Sequence, residues 1–215
     1  MPEDFVEVHE FFDATSKENV GDFRHRALRH HTFGIERCVL LFGETLTTAA
    51  GTHVPTRLVA EGHVLEDHGR IPAPLDWLSR LEPAPPTDRP ALVAADQAEA
   101  SAKRWGGEPE EYLAVHRFFD ETAAEMPGAD PTHRALRHHT TGVRECEEHF
   151  GRAMTLSTGR TIPVRWVAER HLAEEFGVLP TTADWLRRIR RERWMADARP
   201  LSRELEAQEA GTVAR

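Results

Sequence analysis

The chain carries the same unit twice. His25-Arg26-Ala27-Leu28-Arg29-His30-His31 returns letter for letter as His133-Arg134-Ala135-Leu136-Arg137-His138-His139. The agreement continues at a constant offset: Thr32, Gly34, Cys38, Phe42 and Gly43 answer to Thr140, Gly142, Cys146, Phe150 and Gly151. Further on, Pro55, Arg57, Glu61, His63, Gly69, Pro72, Asp76, Trp77 and Leu78 answer to Pro163, Arg165, Glu169, His171, Gly177, Pro180, Asp184, Trp185 and Leu186. Such a duplication predicts two homologous domains packed as an internal pseudo-dimer. Positions kept in both halves are candidates for shared packing or shared chemistry. With 215 residues, each copy can bury a small core of its own.

Periodicity predicts mainly helical copies. Phe5, Val8, Phe11 and Phe12, matched by Tyr112, Val115, Phe118 and Phe119, mark an amphipathic first helix. A histidine helix is expected over about 22–42 and 131–150, with Ala27, His31, Gly34, Ile35, Cys38 and Phe42 on its inward stripe and Gly43 or Gly151 as its stop. Gly34 and Gly142 each cost a helix about 1 kcal/mol against alanine, which implies close approach by another backbone or room for a ligand. A Thr-rich stretch reads as a small hairpin. A third helix runs from Pro55 or Pro163 to Gly69 or Gly177, and a short fourth is anchored by Trp77 or Trp185. Thr181 and Asp184 read as an N-cap pair. The expected fold is all-α, two small helical domains about a pseudo-twofold axis with a short hairpin in each. Repeat one takes residues 1–81, a proline-rich connector and leading helix 82–110, repeat two 111–199, and a tail 200–215.

Composition excludes some functions. The formal charge of -9 works against a broad phosphate-binding face, so nucleic acid is not an expected partner. No apolar run approaches the ~20 residues of a membrane span, and the acidic start Met1-Pro2-Glu3-Asp4 lacks a secretory pattern. A cytoplasmic protein is expected, either a monomeric pseudo-dimer or a homo-oligomer. Cys38 and Cys146 occupy equivalent helical places and read as buried free thiols.

Chemistry concentrates on His25, His30, His31, Glu61 and His63, and on His133, His138, His139, Glu169 and His171. Imidazoles and carboxylates are the ligands of zinc, iron, manganese and copper. On a straight helix, positions five and six apart differ by about 140° and 120° in direction, and neighbours by about 100°, so His25, His30 and His31 cannot all face one ion. The expected site takes His31 or His30 with His63 from the next helix and a third ligand from His9, His25 or Glu61. Repeat two would use His139 or His138 with His171. His31, His63, His139 and His171 are the preferred ligands, followed by His30, His138, His25 and His133. Glu61 and Glu169 are then candidate general bases. Arg26, Arg29, Arg134 and Arg137 would hold a small anionic substrate near a helix N-terminus. Arg57 and Arg165, one turn before Glu61 and Glu169, read as structural ion-pair partners. The competing reading makes the histidines core residues satisfied by carbonyls or carboxylates such as Glu66 and Asp67.

The run His-Arg-Ala-Leu-Arg-His-His, then Pro-x-Arg with Glu-x-His, Gly-x-x-Pro and Asp-Trp-Leu, resembles a family of small uncharacterised bacterial and phage proteins. Its members typically hold one copy and often close on Trp-Met, as Trp194-Met195 does here. The resemblance implies the fold unit and brings no activity with it. The function expected from the residues is a metal-dependent enzyme, hydrolytic or oxidative, with a divalent transition metal, zinc or iron, acting on a small anionic substrate. The alternative is a non-catalytic pseudo-dimeric binding or scaffold module with structural histidines.

Overall fold

The computed structural model describes residues 2–82, 93–124 and 132–196. The proline-rich connector and the polar tail lie outside the described residues. Two compact units are present: residues 2–80 with 190–196, and residues 81–189. Both are helical, and each holds one two-stranded antiparallel hairpin. No helix among the described residues is long and apolar enough to cross a membrane.

Unit 1 runs α1 (Val6–Glu18), a 3-10 turn (Phe23–Leu28), α2 (Thr32–Phe42), β1 (Thr45–Thr47), β2 (His53–Pro55), α3 (Thr56–His68) and α4 (Pro74–Leu78). Unit 2 begins with the leading helix α5 (Ala94–Trp105). It then repeats the order as α6 (Pro109–Ala124), a 3-10 turn (Thr132–Leu136), α7 (Thr140–Phe150), β3 (Ala153–Thr155), β4 (Thr161–Pro163), α8 (Val164–Phe176) and α9 (Thr182–Leu186). The hairpins pair Leu46 with Val54 and Met154 with Ile162. Gly69 and Gly177 end the third helix of each unit in the left-handed region, with φ of 65° and 75°.

The three-and-four spacing of apolar residues becomes the core. In unit 1, Val8, Phe11 and Phe12 of α1 meet Ile35 and Cys38 of α2 and Ala60 and Val64 of α3. In unit 2, Val115, Phe118, Phe119, Val143, Cys146, Ala168 and Leu172 take the corresponding places. Burial of a side chain of phenylalanine size contributes about 1.5–3 kcal/mol. Both cysteines are buried free thiols, one in each core.

The histidine helix departs from expectation because it is broken. Phe23–Leu28 is a tight 3-10 turn opened by Asp22, whose carboxylate accepts from the Arg24 N–H. The backbone is then extended at His31, with φ −159° and ψ 172°, and a new helix starts at Thr32. Repeat two breaks in the same way at His139. Gly34 and Gly142 explain why the break is tolerated. A Cβ on Gly34 would lie 1.7 Å from the Arg29 carbonyl oxygen, and one on Gly142 would lie 1.8 Å from that of Arg137. The approaching backbone is the chain's own.

The fourth helices hold the broken segment. The Trp77 indole N–H donates to the His30 carbonyl at 3.2 Å, and that of Trp185 to the His138 carbonyl at 2.8 Å. In the N-cap of α9, the Thr181 hydroxyl accepts from the Asp184 N–H, and the Asp184 carboxylate accepts from the Thr181 N–H. The Trp-Met pair that follows repeat two packs in unit 1. Trp194, in α10 (Arg193–Ala196), lies 4.7 Å from Trp77 between ring centroids, and Met195 is fully buried. Glu192 anchors this segment to Arg80 at 2.6 Å.

Candidate metal centre

Helical spacing places a histidine and a carboxylate one turn apart four times. α1 carries His9 and Asp13, α3 carries His63 and Asp67, α6 carries His116 and Asp120, and α8 carries His171 and Glu175. The break before α2 and α7 turns His30 and His138 toward these pairs. Two clusters result, one in each unit. In unit 1, one ligand atom each from Asp13, His30 and His63 lie within 4.8 Å of one another; in unit 2, those of Asp120, His138, His171 and Glu175 do so. These two clusters can hold a metal ion.

The two histidine Nε2 atoms face each other in both units, at 3.2 Å for His30 and His63 and 3.3 Å for His138 and His171. Asp67 Oδ2 lies 3.1 Å from His30 Nε2, and Glu175 Oε2 lies 3.4 Å from His138 Nε2. Asp120 Oδ1 completes the second cluster, 3.7 Å from His138 Nε2 and 4.0 Å from His171 Nε2. Two ligand atoms each about 2.1 Å from a tetrahedral ion lie about 3.4 Å apart, which is the spacing found here.

Surrounding groups fix the rings. Phe12 stacks on His63 at 5.0 Å and Phe119 on His171 at 4.7 Å. The far nitrogen of His63 meets His9 Nδ1 at 2.9 Å, and that of His171 meets His116 Nδ1 at 3.3 Å. His116 Nε2 in turn lies 3.0 Å from the Ser101 hydroxyl. Such contacts on the far side of an imidazole set its tautomer and orientation.

Burial pushes the His30 imidazole down to about 3 and lowers His63; it holds His138 and His171 well below the usual histidine range. At neutral pH all four are uncharged and keep a lone pair for a ligand bond. Burial works to raise the Asp67 carboxyl, but the His30 hydrogen bond and the Arg26 guanidinium outweigh it and bring it to about 2. In Glu175 burial prevails over Arg134 and pushes the carboxyl up to about 7.

The remaining expected residues serve other contacts. His31 and His139 cap α2 and α7, their Nδ1 atoms accepting from the N–H groups of Gly34 and Gly142. His25 Nδ1 lies 3.3 Å from the Thr15 hydroxyl, and the His133 carbonyl accepts from Thr122. Glu61 and Glu169 sit two residues before the cluster histidines, about 200° around the helix, and pair with Arg57 at 3.8 Å and Arg165 at 2.6 Å. Glu169 borders a cavity of about 640 Å³ shared with Trp105, Trp166 and Arg170, which no cluster residue lines. Arg26 and Arg134 pair with Asp67, beside the unit 1 cluster, and with Glu175 of the unit 2 cluster, at 3.2 and 3.5 Å. Arg29 and Arg137 are buried, donate to the carbonyls of Phe11 and Phe118, and lie 4.3 and 4.0 Å over those rings.

The clusters therefore join His30, His63, His138 and His171 with the carboxylates Asp13, Asp120 and Glu175, none of them among the expected ligands, while Asp67, expected only as a structural partner, lies beside His30. A signal for them exists. Histidine followed four residues later by Asp or Glu occurs on the first and third helices of both repeats, and that spacing stacks the two groups on one helical face.

A family model described as "Domain of unknown function (DUF6915)" matches residues 1–86 and 93–195. No curated protein and no solved structure matches the chain.

Proposed function

We propose, for a chain that belongs to the DUF6915 family, that each cluster binds one divalent transition metal ion, zinc or iron, and that the protein is a metal-dependent enzyme. One observation carries this reading. Two neutral imidazoles present their Nε2 atoms to each other at 3.2–3.3 Å inside the fold, with carboxylate oxygens beside them. An N–H···N hydrogen bond between them uses the lone pair of only one ring, whereas in the tautomers that aim both lone pairs inward the two repel. A cation engages both lone pairs in those tautomers, and it adds positive charge beside the buried Glu175 carboxylate. Nitrogen and oxygen donors together suit zinc and iron, whereas magnesium and calcium prefer oxygen alone.

A bound zinc ion would supply Lewis-acid chemistry for hydrolysis, and a bound iron ion would add redox chemistry. The chain's residues divide the remaining work. His30, His63, His138 and His171 hold the ion. Phe12 and Phe119 keep their imidazoles in place, and Arg26 and Arg134 orient Asp67 and Glu175. Asp120 is 34% exposed while its histidine partners are fully buried, so the unit 2 cluster meets solvent only at this carboxylate. A small anion is not assigned to Arg29 and Arg137, whose guanidinium groups are engaged inside the fold.

The second reading, a hydrogen-bonded polar core without metal, is favoured in unit 1 by the His30–Asp67 contact. Metal analysis of the purified full chain, with melting curves in added zinc or iron(II), separates the two. The proposal expects stoichiometric metal and a rise in melting temperature, both lost in a folded His63→Ala plus His171→Ala variant. A folded protein that takes up neither ion and melts unchanged with them overturns it.

A further inference from the structure

We infer that the two metal sites are unequal: the site of unit 2 is closed and retains its ion, and the site of unit 1 is open and exchanges it. This rests on the metal reading above and adds a division of labour to it. The argument comes from comparing equivalent residues in two copies of one fold.

Three differences point the same way. First, α5 covers the back of the unit 2 site. Ser101, fully buried, contacts His116 at 3.0 Å, and the Gln97 side-chain amide donates to the His171 carbonyl at 3.2 Å. Among the described residues of unit 1 no helix takes this place, and His9, the counterpart of His116, is only half-buried. Second, exposure follows: His171 is 0% exposed against 9% for His63, and the Glu175 side chain is 4% exposed against 23% for Asp67. Third, the ligand sets differ. Glu175 is one methylene longer than Asp67 and joins a set of four, whereas the unit 1 set is Asp13, His30 and His63.

Four protein ligands in a covered site are the pattern of a retained ion, and three ligands with an open side are that of an ion that meets substrate. Covering groups matter because they fix the imidazole whose other nitrogen binds. The chain thus pairs an exchangeable centre in unit 1 with a holding centre in unit 2. Ser101 and Gln97 are positioning residues, acting through His116 and the His171 backbone.

The test uses the full chain loaded with zinc alone, transferred into excess chelator while released zinc is followed with an indicator dye. Two phases of one ion per chain are expected. His63→Ala should remove the fast phase and His171→Ala the slow one. Gln97→Ala with Ser101→Ala, checked for fold by circular dichroism, should quicken the slow phase roughly tenfold and leave the fast phase alone. Release of two ions in one phase, or loss of the fast phase in His171→Ala, overturns the inference while leaving the metal reading intact. A folded chain that takes no zinc overturns the metal reading and this inference with it.

Discussion

His30 and His31 are adjacent in sequence and have separate tasks. His30 Nε2 lies 3.2 Å from His63 Nε2, while His31 Nδ1 accepts from Gly34 N at 3.1 Å and caps α2. Substitution should separate them. His31→Ala removes a cap worth about 1 kcal/mol or more and should lower the urea midpoint while zinc uptake persists. His30→Ala should abolish uptake in unit 1. Equal zinc loss in the two variants would contradict this assignment.

Gly34→Ala tests the break in the histidine segment. The new Cβ would fall 1.7 Å from the Arg29 carbonyl oxygen, a contact that only a backbone shift relieves. Overpacking of this kind costs about 1–3 kcal/mol and occasionally more, against the gain of about 1 kcal/mol that alanine brings to an ordinary helical position. Chemical denaturation should show net destabilisation. A stabilised Gly34→Ala protein would mean that the helix runs through His31 unbroken.

Arg29 and Arg137 are expected to stabilise the fold. Each donates to a phenylalanine carbonyl and covers that phenylalanine's ring, and hydrogen bonds from charged donors are worth about 1.5–3 kcal/mol. Arg29→Ala should cost about that much in an unfolding experiment. An Arg29→Ala protein of unchanged stability but weakened phosphate binding would restore the anion role.

Cys38 and Cys146 provide a test by pH. Burial pushes both thiols up to about 12, with Arg29 and Arg137 opposing it. The native fold therefore binds these protons more tightly than the unfolded chain, whose thiols titrate near about 8.5. Their contribution to stability is full below that value and is lost progressively as pH rises toward about 12. At pH 8 both thiols should resist alkylation in the native protein and react fully in denaturant, as read by mass spectrometry. Rapid native labelling of either would place that sulfur at the surface.

Much of the fold could be read along the chain, since it rests on local spacing. Phe11 and Phe12 recur with Val8 at helical intervals, Gly69 and Gly177 stop their helices, and Thr181 with Asp184 starts one. The duplication made each assignment twice. The candidate site was legible in part. His63 and His171 were identified along with His30 and His138, yet His31 and His139 ranked above the latter because a continuous helix points them inward. The carboxylates four residues after His9, His63, His116 and His171 carried a signal that the density of histidines overshadowed.

Residue types, their period and their repetition are properties of neighbours in the chain, and they suffice to specify helices, caps and two like cores. Which imidazole meets which carboxylate depends on a single change of backbone direction at residues 29–31. That change is held by a carbonyl lodged against Gly34 and by Trp77, 47 positions away, donating to His30. A bond across that distance exists only once the chain has folded, and with its counterpart from Trp185 to His138 it gathers each row of histidines into one cluster.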